Sequence, residues 1–260
     1  MHAWGNFADY YQFRNGAGTE DPRLSVLTEF IDLTGKRVLD LGCNSGQFTL
    51  SLSSAGCSSI LGVDIDPSLI LRAKASAATA AQGKAPQCQA AFLCKDVLKL
   101  KFPPGRFDVV LLLSTSKWLH LQRGDGGIGR LFRCCFRWLV PGGLFVLEPQ
   151  PWTAYKKVAD AHEDIENTWK SIRMHPESFP QFLASTIGFE RQYEEVAINH
   201  GVPSFRRCIF FFRKPQASHK LRAALRLPAT PAAVVQKRGY CIRAHSRGRR
   251  RLQRLVHIRW

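Results

Sequence analysis

The sequence predicts an α/β fold with a mostly parallel β-sheet, and three observations lead to that prediction. Short apolar runs suited to buried strands occur at residues 38–41, 60–63 and 107–113. The first run breaks at Gly42 and is followed by an amphipathic segment, which predicts a strand, turn, helix and second strand in succession. The second run ends in the acidic residue Asp64. Such a βαβ unit has a right-handed connection.

The turn after the first predicted strand has the composition of a ligand-binding turn. Glycines allow a tight turn and let a ligand approach bare backbone, and the helix that follows offers unpaired N–H groups. Asp64 lies 24 residues after Asp40, where it is placed to accept hydrogen bonds from ribose hydroxyls. The unit therefore indicates a nucleoside-containing ligand. The G-x-G-x-x-G spacing of dinucleotide-binding proteins is absent.

The remaining elements follow from apolar runs and turn residues. We expect a third strand at 90–94, just before Asp96, and a fifth at 144–147 behind a Pro-Gly-Gly stop. A closing pair of strands is expected at 196–199 and 206–213. Helices are predicted at 67–81, 127–139, 160–170 and 178–185.

Composition limits the classes of protein. With 45% apolar residues a full core can form, and no apolar run reaches the roughly 18 residues that span a bilayer. No basic-then-apolar leader opens the sequence, so we expect no secretory signal and no membrane. The eight cysteines form no C-x-x-C pair, which favours reduced thiols and no zinc site. No clustered His/Asp set calls for a metal.

Positive charge is concentrated at one end of the chain. The net charge is +17, and residues 216–260 hold twelve Lys/Arg and no Asp/Glu. We expect this segment to be a basic, disordered tail, either for a polyanion such as nucleic acid or merely solubilising. At the other end, residues 1–35 form an aromatic and basic arm that we expect to cover the active site or to pack against the domain. Residues 36–215 form the domain between them.

Two positively chargeable side chains follow the fourth predicted strand. Lys117 and His120 come after the apolar run 107–113, where open α/β sheets bind their ligands. We expect both in the loop that follows this strand. Trp118 and Trp152 are as compatible with core packing as with base stacking.

The first turn resembles the D-x-G-x-G-x-G signature of class I methyltransferases, which bind S-adenosylmethionine. Here it reads Asp40-x-Gly42-x-Asn44-x-Gly46, with asparagine in place of the middle glycine. That resemblance implies a class I (Rossmann-like) fold, with a mostly parallel seven-stranded sheet and an antiparallel closing strand.

Longer motifs make the resemblance more specific. The segments GNFADYYQFRN (5–15), VLDLGCNSGQFTLSL (38–52), STSKWLHLQRGDGGI (114–128) and VPGGLFVLEPQPWTAYKK (140–157) closely resemble the Bin3 (bicoid-interacting) methyltransferase family, and within it the 7SK-type RNA capping enzymes. The resemblance covers about residues 4–214, and Asn44 is normal in this family. The paired tyrosines followed by Arg-Asn favour the capping type over the relatives that methylate RNA 5′-monophosphates.

The resemblance implies a reaction and a set of residues. The reaction is methyl transfer from S-adenosylmethionine to the γ-phosphate at the 5′ end of a small nuclear RNA, with ribonucleoprotein proteins as further partners. Tyr10, Arg14, Lys117 and His120 match the substrate side and are the implied catalytic residues. The implied cofactor-contacting positions are Tyr11, Arg23, Gly42, Cys43, Asn44, Asp64, Ile65, Asp96, Val97 and Leu113.

Other readings of the same residues stay open. The acceptor could instead be an RNA 5′-monophosphate, a protein or a small molecule. The protein could also be a non-catalytic RNA-binding scaffold, although the intact turn and Lys117 argue for an enzyme. The implied location is the nucleus, with the cytoplasm as the alternative.

Overall fold

The computed structural model describes residues 5, 7, 9–15, 20–81, 88–192, 196–197 and 207–216. Its centre is a sheet of five parallel strands in the order β3-β2-β1-β4-β5. These strands are β1 Arg37–Leu41, β2 Ser59–Asp64, β3 Gln89–Cys94, β4 Phe107–Leu113 and β5 Leu139–Glu148.

Antiparallel strands complete the sheet beyond β5. β8 (Cys208–Arg213) pairs antiparallel with β5, and the short strands β6 (Glu190–Arg191) and β7 (Val196–Ala197) each pair antiparallel with β8. The expected closing pair is therefore present as β7 and β8, whereas β6 is not among the predicted strands. The predicted fold class is confirmed, although the described sheet has eight strands where seven were predicted.

Helices cover both faces of the sheet. Their bounds are α1 Tyr10–Asn15, α2 Pro22–Phe30, α3 Gln47–Ser53, α4 Pro67–Ala80, α5 Ser116–Trp138, α6 Trp152–Ala159, α7 Glu163–Ser171 and α8 Phe179–Phe182. Short 3₁₀ turns occur at Val97–Lys99 and Pro176–Ser178, and a π turn at Leu183–Ile187. Among the described residues, no helix combines the length and apolar character that crossing a membrane requires.

The alternation of side chains along the strands divides the core into two layers. Val110 and Leu112 of β4 pack into the layer that contains α5. Val109 and Leu111, which point to the opposite face, pack into the layer that contains α2 and α3. The central strands β1 and β4 are buried on both sides, as their mainly apolar composition predicts, whereas the edge strand β3 is largely exposed.

The predicted helix at 127–139 corresponds to the part of α5 that follows a break at Gly124, whereas the helical turns before that break were not predicted. The helix begins at Ser116, although Gly124 has non-helical angles (φ 60°, ψ −169°) and kinks it. Burial of His120 and Leu121 stabilises the part before Gly124, and burial of Ile128 stabilises the part after it, so the helix is interrupted at the glycine, where propensity is weakest. Lys117 therefore lies in the first turn of a helix and not in a loop.

Strand β5 is also longer than predicted. It begins at Leu139, before the Pro-Gly-Gly segment that was expected to precede the strand. The register passes from Phe107 opposite Leu139 to Val109 opposite Leu144, so the intervening residues bulge out of the ladder. A bulge accommodates proline and glycine within a strand. Helices α1, α2 and α6 were not predicted, and residues 217–260, including nearly all of the predicted disordered tail, lie outside the described residues.

Candidate active site

A cavity of about 380 Å³ opens at the carboxyl ends of β1, β2 and β4. Its walls come from the turn after β1, the ends of β2 and β4, the first turn of α5 and the N-terminal arm. Ligands bind at this edge in open α/β sheets. Eleven of the fourteen predicted site residues line it: Tyr10, Tyr11, Arg23, Gly42, Asn44, Asp64, Ile65, Asp96, Val97, Leu113 and Lys117.

The turn after β1 is held by the end of β2. The N–H groups of Gly42 and Cys43 donate to the carbonyl of Val63 at 2.7 and 3.1 Å. Gly42 has φ +80°, and a Cβ atom there would lie 2.1 Å from Oγ1 of Thr115. Only glycine fits this position without strain, which explains the glycine that ends the first strand.

Asp64 fixes the same turn through both carboxylate oxygens. Asn44 N–H donates to Oδ2 at 2.9 Å, and Asp66 N–H donates to Oδ1 at 3.0 Å. Burial raises the pKa of the Asp64 carboxyl, although the backbone donors counteract that rise. Burial likewise raises the pKa of Asp40, whose Oδ2 accepts from Oγ1 of Thr49 at 2.6 Å, to about 6.

These groups fit S-adenosylmethionine. Asp64 has its carboxylate at the position suited to ribose hydroxyls, and Asp40 is an acidic neighbour for a cationic ligand. Asp96 lines the cavity beside the apolar Val97 and Ile65, which together suit a base with an exocyclic amino group. Because residue 42 is a glycine, no side chain covers its backbone, and a ligand in the cavity can approach that backbone closely.

We expect Asp64→Ala to weaken S-adenosylmethionine binding by about 1–3 kcal/mol, the cost of losing a hydrogen bond to a charged group. Titration calorimetry measures the change. Asp66→Ala is the matched control, because Asp66 caps α4 by accepting from Ser68 and Leu69 N–H without lining the cavity. It should lower thermal stability but leave cofactor affinity intact. Equal affinity of Asp64→Ala and the unmodified protein would remove Asp64 from the cofactor site.

The N-terminal arm contributes two tyrosines to the cavity. Tyr11 O–H donates to the carbonyl of Cys43 at 3.4 Å and accepts from Phe48 N–H at 3.4 Å. Burial holds the pKa of Tyr11 well above its ordinary value, so it remains a neutral donor. Cys43 itself supplies backbone to the turn but does not line the cavity.

A buried cluster of charges links the arm to the end of β5. Arg14 Nη2 lies 2.9 Å from Glu148 Oε1, and Arg23 Nη1 lies 3.3 Å from Glu148 Oε2. Asp21, the N-cap of α2, accepts from Arg23 Nη2 at 2.6 Å. Ser114 Oγ donates to Glu148 Oε2 at 2.7 Å. Because the Arg14 side chain is fully buried in this cluster and does not line the cavity, its predicted catalytic role stays a prediction.

Glu148 is the carboxylate that the guanidinium groups share. Burial alone would raise its pKa, but Arg14, Arg23 and Arg207 hold the pKa of Glu148 below its ordinary value. A buried carboxylate is stable only with such partners. The cluster therefore depends on the negative charge of Glu148.

Lys117 and Arg207 bring positive charge to the cavity wall. Lys117 is 9% exposed, and its Nζ lies 3.5 Å from the carbonyl of Ala154 and 4.3 Å from the centre of the Trp118 ring. Burial and, after it, the nearby Arg207 lower the pKa of Lys117 to about 8. Arg207 Nη1 donates to Ser114 Oγ at 2.7 Å.

His120 lies behind the cavity wall. Its ring is fully buried, with Nδ1 3.3 Å from Tyr155 Oη and Nε2 2.8 Å from Asp125 Oδ1. Burial lowers the pKa of His120, although Asp125 counteracts that effect. The contact with Tyr155 links α5 to α6, and the predicted catalytic role of His120 stays a prediction.

Several residues of the site were not among the predicted ones. Arg207 comes from just before β8, and Gln150 donates through Nε2 to the carbonyl of Ser114. Glu148, which ends β5, was not predicted as a site residue. The one available signal was that this acid ends an apolar run, as Asp64 does. No local pattern distinguishes Arg207. Within the described ranges, no three His, Cys, Asp or Glu side chains are grouped so as to hold a metal.

Comparisons with known proteins agree with this geometry. The family model "Bicoid-interacting protein 3 (Bin3)" matches residues 107–214, and a "Methyltransferase domain" model matches residues 39–147. A probable RNA methyltransferase of Arabidopsis thaliana is 34% identical, over 82% of this chain and 81% of its own length. The U6 snRNA methylphosphate capping enzyme Amus of Drosophila melanogaster is 34% identical, over 81% of this chain and 74% of its own.

The human 7SK snRNA methylphosphate capping enzyme is 33% identical over 82% of this chain, but the chain spans only 40% of that protein's length.

Solved structures support the fold. A methyltransferase from Methanosarcina mazei aligns with TM-score 0.57 at 19% identity, over 74% of this chain and 98% of its own. The N-methyltransferase NodS of Bradyrhizobium japonicum aligns with TM-score 0.56 at 16% identity, over 82% and 95%. The chain is therefore a methyltransferase that uses S-adenosylmethionine, and it belongs to the Bin3 family.

Proposed function

We propose that this protein transfers a methyl group from S-adenosylmethionine to an oxygen of the terminal phosphate at the 5′ end of an RNA. The observation that carries the proposal is the pairing of two surfaces in one cavity. One surface has the carboxylates and glycine turn that suit the cofactor. The other has the buried Lys117 and the half-buried Arg207, two cations that suit an anionic acceptor.

The acceptor chemistry requires positioning more than proton transfer. A phosphate monoester has its second pKa near 6, so its oxygens are already negative at pH 7 and need no strong base. When bound, S-adenosylmethionine supplies an electrophilic methyl group. The chain must hold the acceptor oxygen in line with that group, and positioning of this kind can supply several kcal/mol, up to about 7–11.

Lys117, Arg207 and Tyr10 are the donors available for the phosphate. All three line the cavity, and Arg207 is anchored by its hydrogen bond to Ser114. A dianionic phosphate beside Lys117 favours the ammonium form and so raises its pKa again. We propose that Lys117 and Arg207 hold the oxygens that do not attack, which leaves one oxygen free for methylation.

A triphosphate end is the acceptor that we propose first. Relatives named as snRNA capping enzymes match over 81–82% of this chain at 33–34% identity. Relatives named as RNA or pre-miRNA 5′-monophosphate methyltransferases match over 46–60% at 29–30%. The wider match favours methylation of the γ-phosphate, with the monophosphate as the second candidate. A nuclear location, small nuclear RNA and ribonucleoprotein partners are part of the same proposal, as is the division into arm, domain and tail.

Incubation with labelled S-adenosylmethionine and RNAs of identical sequence tests the proposal. The RNAs carry a 5′-triphosphate, a 5′-monophosphate or a 5′-hydroxyl. We expect label on the triphosphate RNA, less on the monophosphate RNA and none on the hydroxyl RNA. Equal labelling of all three would place the acceptor elsewhere in the RNA. Tight RNA binding with no labelling at all would indicate a scaffold.

Arg207→Gln is expected to raise KM for triphosphate RNA and to shift the pH profile of kcat/KM. Because Arg207 contributes to lowering the pKa of Lys117, its removal raises that pKa, and the loss of activity at alkaline pH moves to higher pH. Arg191→Gln is the control, since Arg191 is exposed and does not line the cavity. An Arg207→Gln profile that coincides with the unmodified one would show that Arg207 does not act on Lys117.

A further inference from the structure

The exposed side of α5 carries four arginines that the proposed chemistry does not use. Arg123, Arg130, Arg133 and Arg137 are all exposed, whereas Ile128, Leu131, Phe132 and Cys135 of the same helix are buried. Arg130, Arg133 and Arg137 follow one another at spacings of three and four, which places them on one side of the helix. These four arginines are called the arginine stripe below.

The arginine stripe begins at the mouth of the cavity. Arg123 and Asp96 both line the cavity, and Arg123 Nη2 lies 3.5 Å from Asp96 Oδ2. Arg130 Nη2 donates to the carbonyl of Leu98 at 3.3 Å, so that Arg123 and Arg130 lie against the same short segment. At the far end, the carbonyl of Arg137 accepts from Gly105 N–H at 3.1 Å, next to the exposed Arg106.

The segment of the chain that carries the stripe has much more positive than negative charge. Residues 94–139 contain nine Lys/Arg and three Asp/Glu. Of the three acids, Asp108 pairs with Arg37 at 2.8 Å, and Asp125 accepts from His120 and from backbone N–H groups. The third acid, Asp96, pairs with the first member of the stripe, Arg123. Exposed Lys99 and Lys101 add to the positive charge of the connection beside α5.

We propose that the arginine stripe is the surface along which the phosphate backbone of the acceptor RNA runs after it leaves the cavity. This inference rests on the proposed function, because it takes the acceptor to be an RNA. Arg130, Arg133 and Arg137 lie on the regular part of α5 that follows the kink at Gly124, and from Arg130 to Arg137 that part rises about 10 Å at 1.5 Å per residue. A strand with one phosphate per about 3.4 Å of duplex axis passes that length in roughly three phosphates. Arginine is the side chain best suited to phosphate, since its guanidinium presents several donors in a fixed plane.

The test compares two triphosphate RNAs with the same first nucleotides, a dinucleotide and a 20-mer. The stripe variant Arg133→Gln/Arg137→Gln removes two exposed charges that are away from the cavity. The control variant Arg72→Gln/Lys74→Gln removes two exposed charges from α4. Steady-state kcat and KM are measured for each protein at several salt concentrations, with melting temperatures to verify folding.

For the 20-mer, we expect the stripe variant to raise KM on the order of tenfold with kcat unchanged. The slope of log KM against log salt should decrease by about one per lost arginine. The dinucleotide should react equally with all three proteins, because it cannot reach residues 133 and 137.

The outcomes separate the two proposals. If the unmodified protein methylates neither RNA, the proposed function fails. If it methylates both and the stripe variant behaves like the α4 control on the 20-mer, the stripe does not bind RNA. That result would leave another partner, such as an acidic protein, for this surface. A loss on the dinucleotide as large as that on the 20-mer would equally overturn the inference, since the arginines would then act on the cavity itself.

Discussion

Replacing Lys117 with alanine is expected to slow methyl transfer to triphosphate RNA by a hundredfold or more. One lost electrostatic contact at the reacting group costs about 2.7–4 kcal/mol. Lys117 lies in the first turn of α5 and lines the cavity together with Arg207. Cofactor affinity should change little, because the turn after β1 and Asp64 hold that side of the cavity. Single-turnover kinetics, with cofactor binding measured alongside, gives both quantities.

The pH dependence identifies the lysine as the group responsible. Burial, reinforced by Arg207, lowers the pKa of Lys117 to about 8, so the free enzyme loses this positive charge as pH rises through that value. The pH profile of kcat/KM reports the free enzyme, and it should fall above about pH 8. Lys117→Arg keeps its charge and should lack this fall. It should not restore full activity, because the guanidinium is larger and forked.

Lys157→Ala is the matched control for Lys117→Ala. Lys157 is an exposed lysine of α6, and it does not line the cavity. Its loss should leave both kcat and the pH profile unchanged. If Lys117→Ala turns over like the unmodified protein, the phosphate-holding role is wrong. Arg14 or His120 would then have to be reconsidered, together with a movement that exposes them.

Replacing Glu148 with glutamine is expected to lower the free energy of unfolding by about 3–5 kcal/mol, as for other broken buried ion pairs. Glutamine has nearly the same shape and can still accept from Ser114. It lacks the negative charge that Arg14 and Arg23 contact at 2.9 and 3.3 Å. The guanidinium groups would then be buried without their shared anion. Urea denaturation followed by circular dichroism measures the change.

The sign of the pH effect follows from the pKa of Glu148. In the folded protein Arg14, Arg23 and Arg207 outweigh burial and hold that pKa below its unfolded value of about 4.3. The carboxylate therefore contributes its stability above the unfolded pKa, and that contribution is lost as pH falls through the lower folded pKa. The difference between Glu148→Gln and the unmodified protein should shrink over that acidic range.

Glu29→Gln controls for the chemical change itself. Glu29 is exposed near the end of α2, and its replacement should alter stability by less than about 0.5 kcal/mol. A Glu148→Gln protein as stable as Glu29→Gln would show that the buried cluster does not hold the arm to β5. Loss of cofactor binding in a variant that remains folded would show that the cluster also shapes the cavity.

The sequence by itself determined the cofactor half of the site. A strand, a turn containing Gly42 and an acid at the end of the next strand are local patterns, because hydrogen bonding and side-chain alternation within a few residues produce them. The fourth strand was predicted with the bounds that the structure has, Phe107–Leu113, since a run that is apolar except for Asp108 is best buried within a parallel sheet. Because Lys117 follows the end of this strand, its position at the ligand-binding edge of the sheet could be predicted as well.

Only the tertiary structure decided the acceptor half. β8 runs antiparallel to β5, so the residue before it, Arg207, arrives at the edge where the parallel strands end. Arg14 and Glu148 meet across 134 positions of sequence. Contacts of this kind depend on strand order and helix packing, and the spacing of apolar residues along the sequence does not predict either. The same is true of the first part of α5, from Ser116 to the break at Gly124, where burial of Ser116, Lys117 and His120 accompanies a helix that the sequence did not predict.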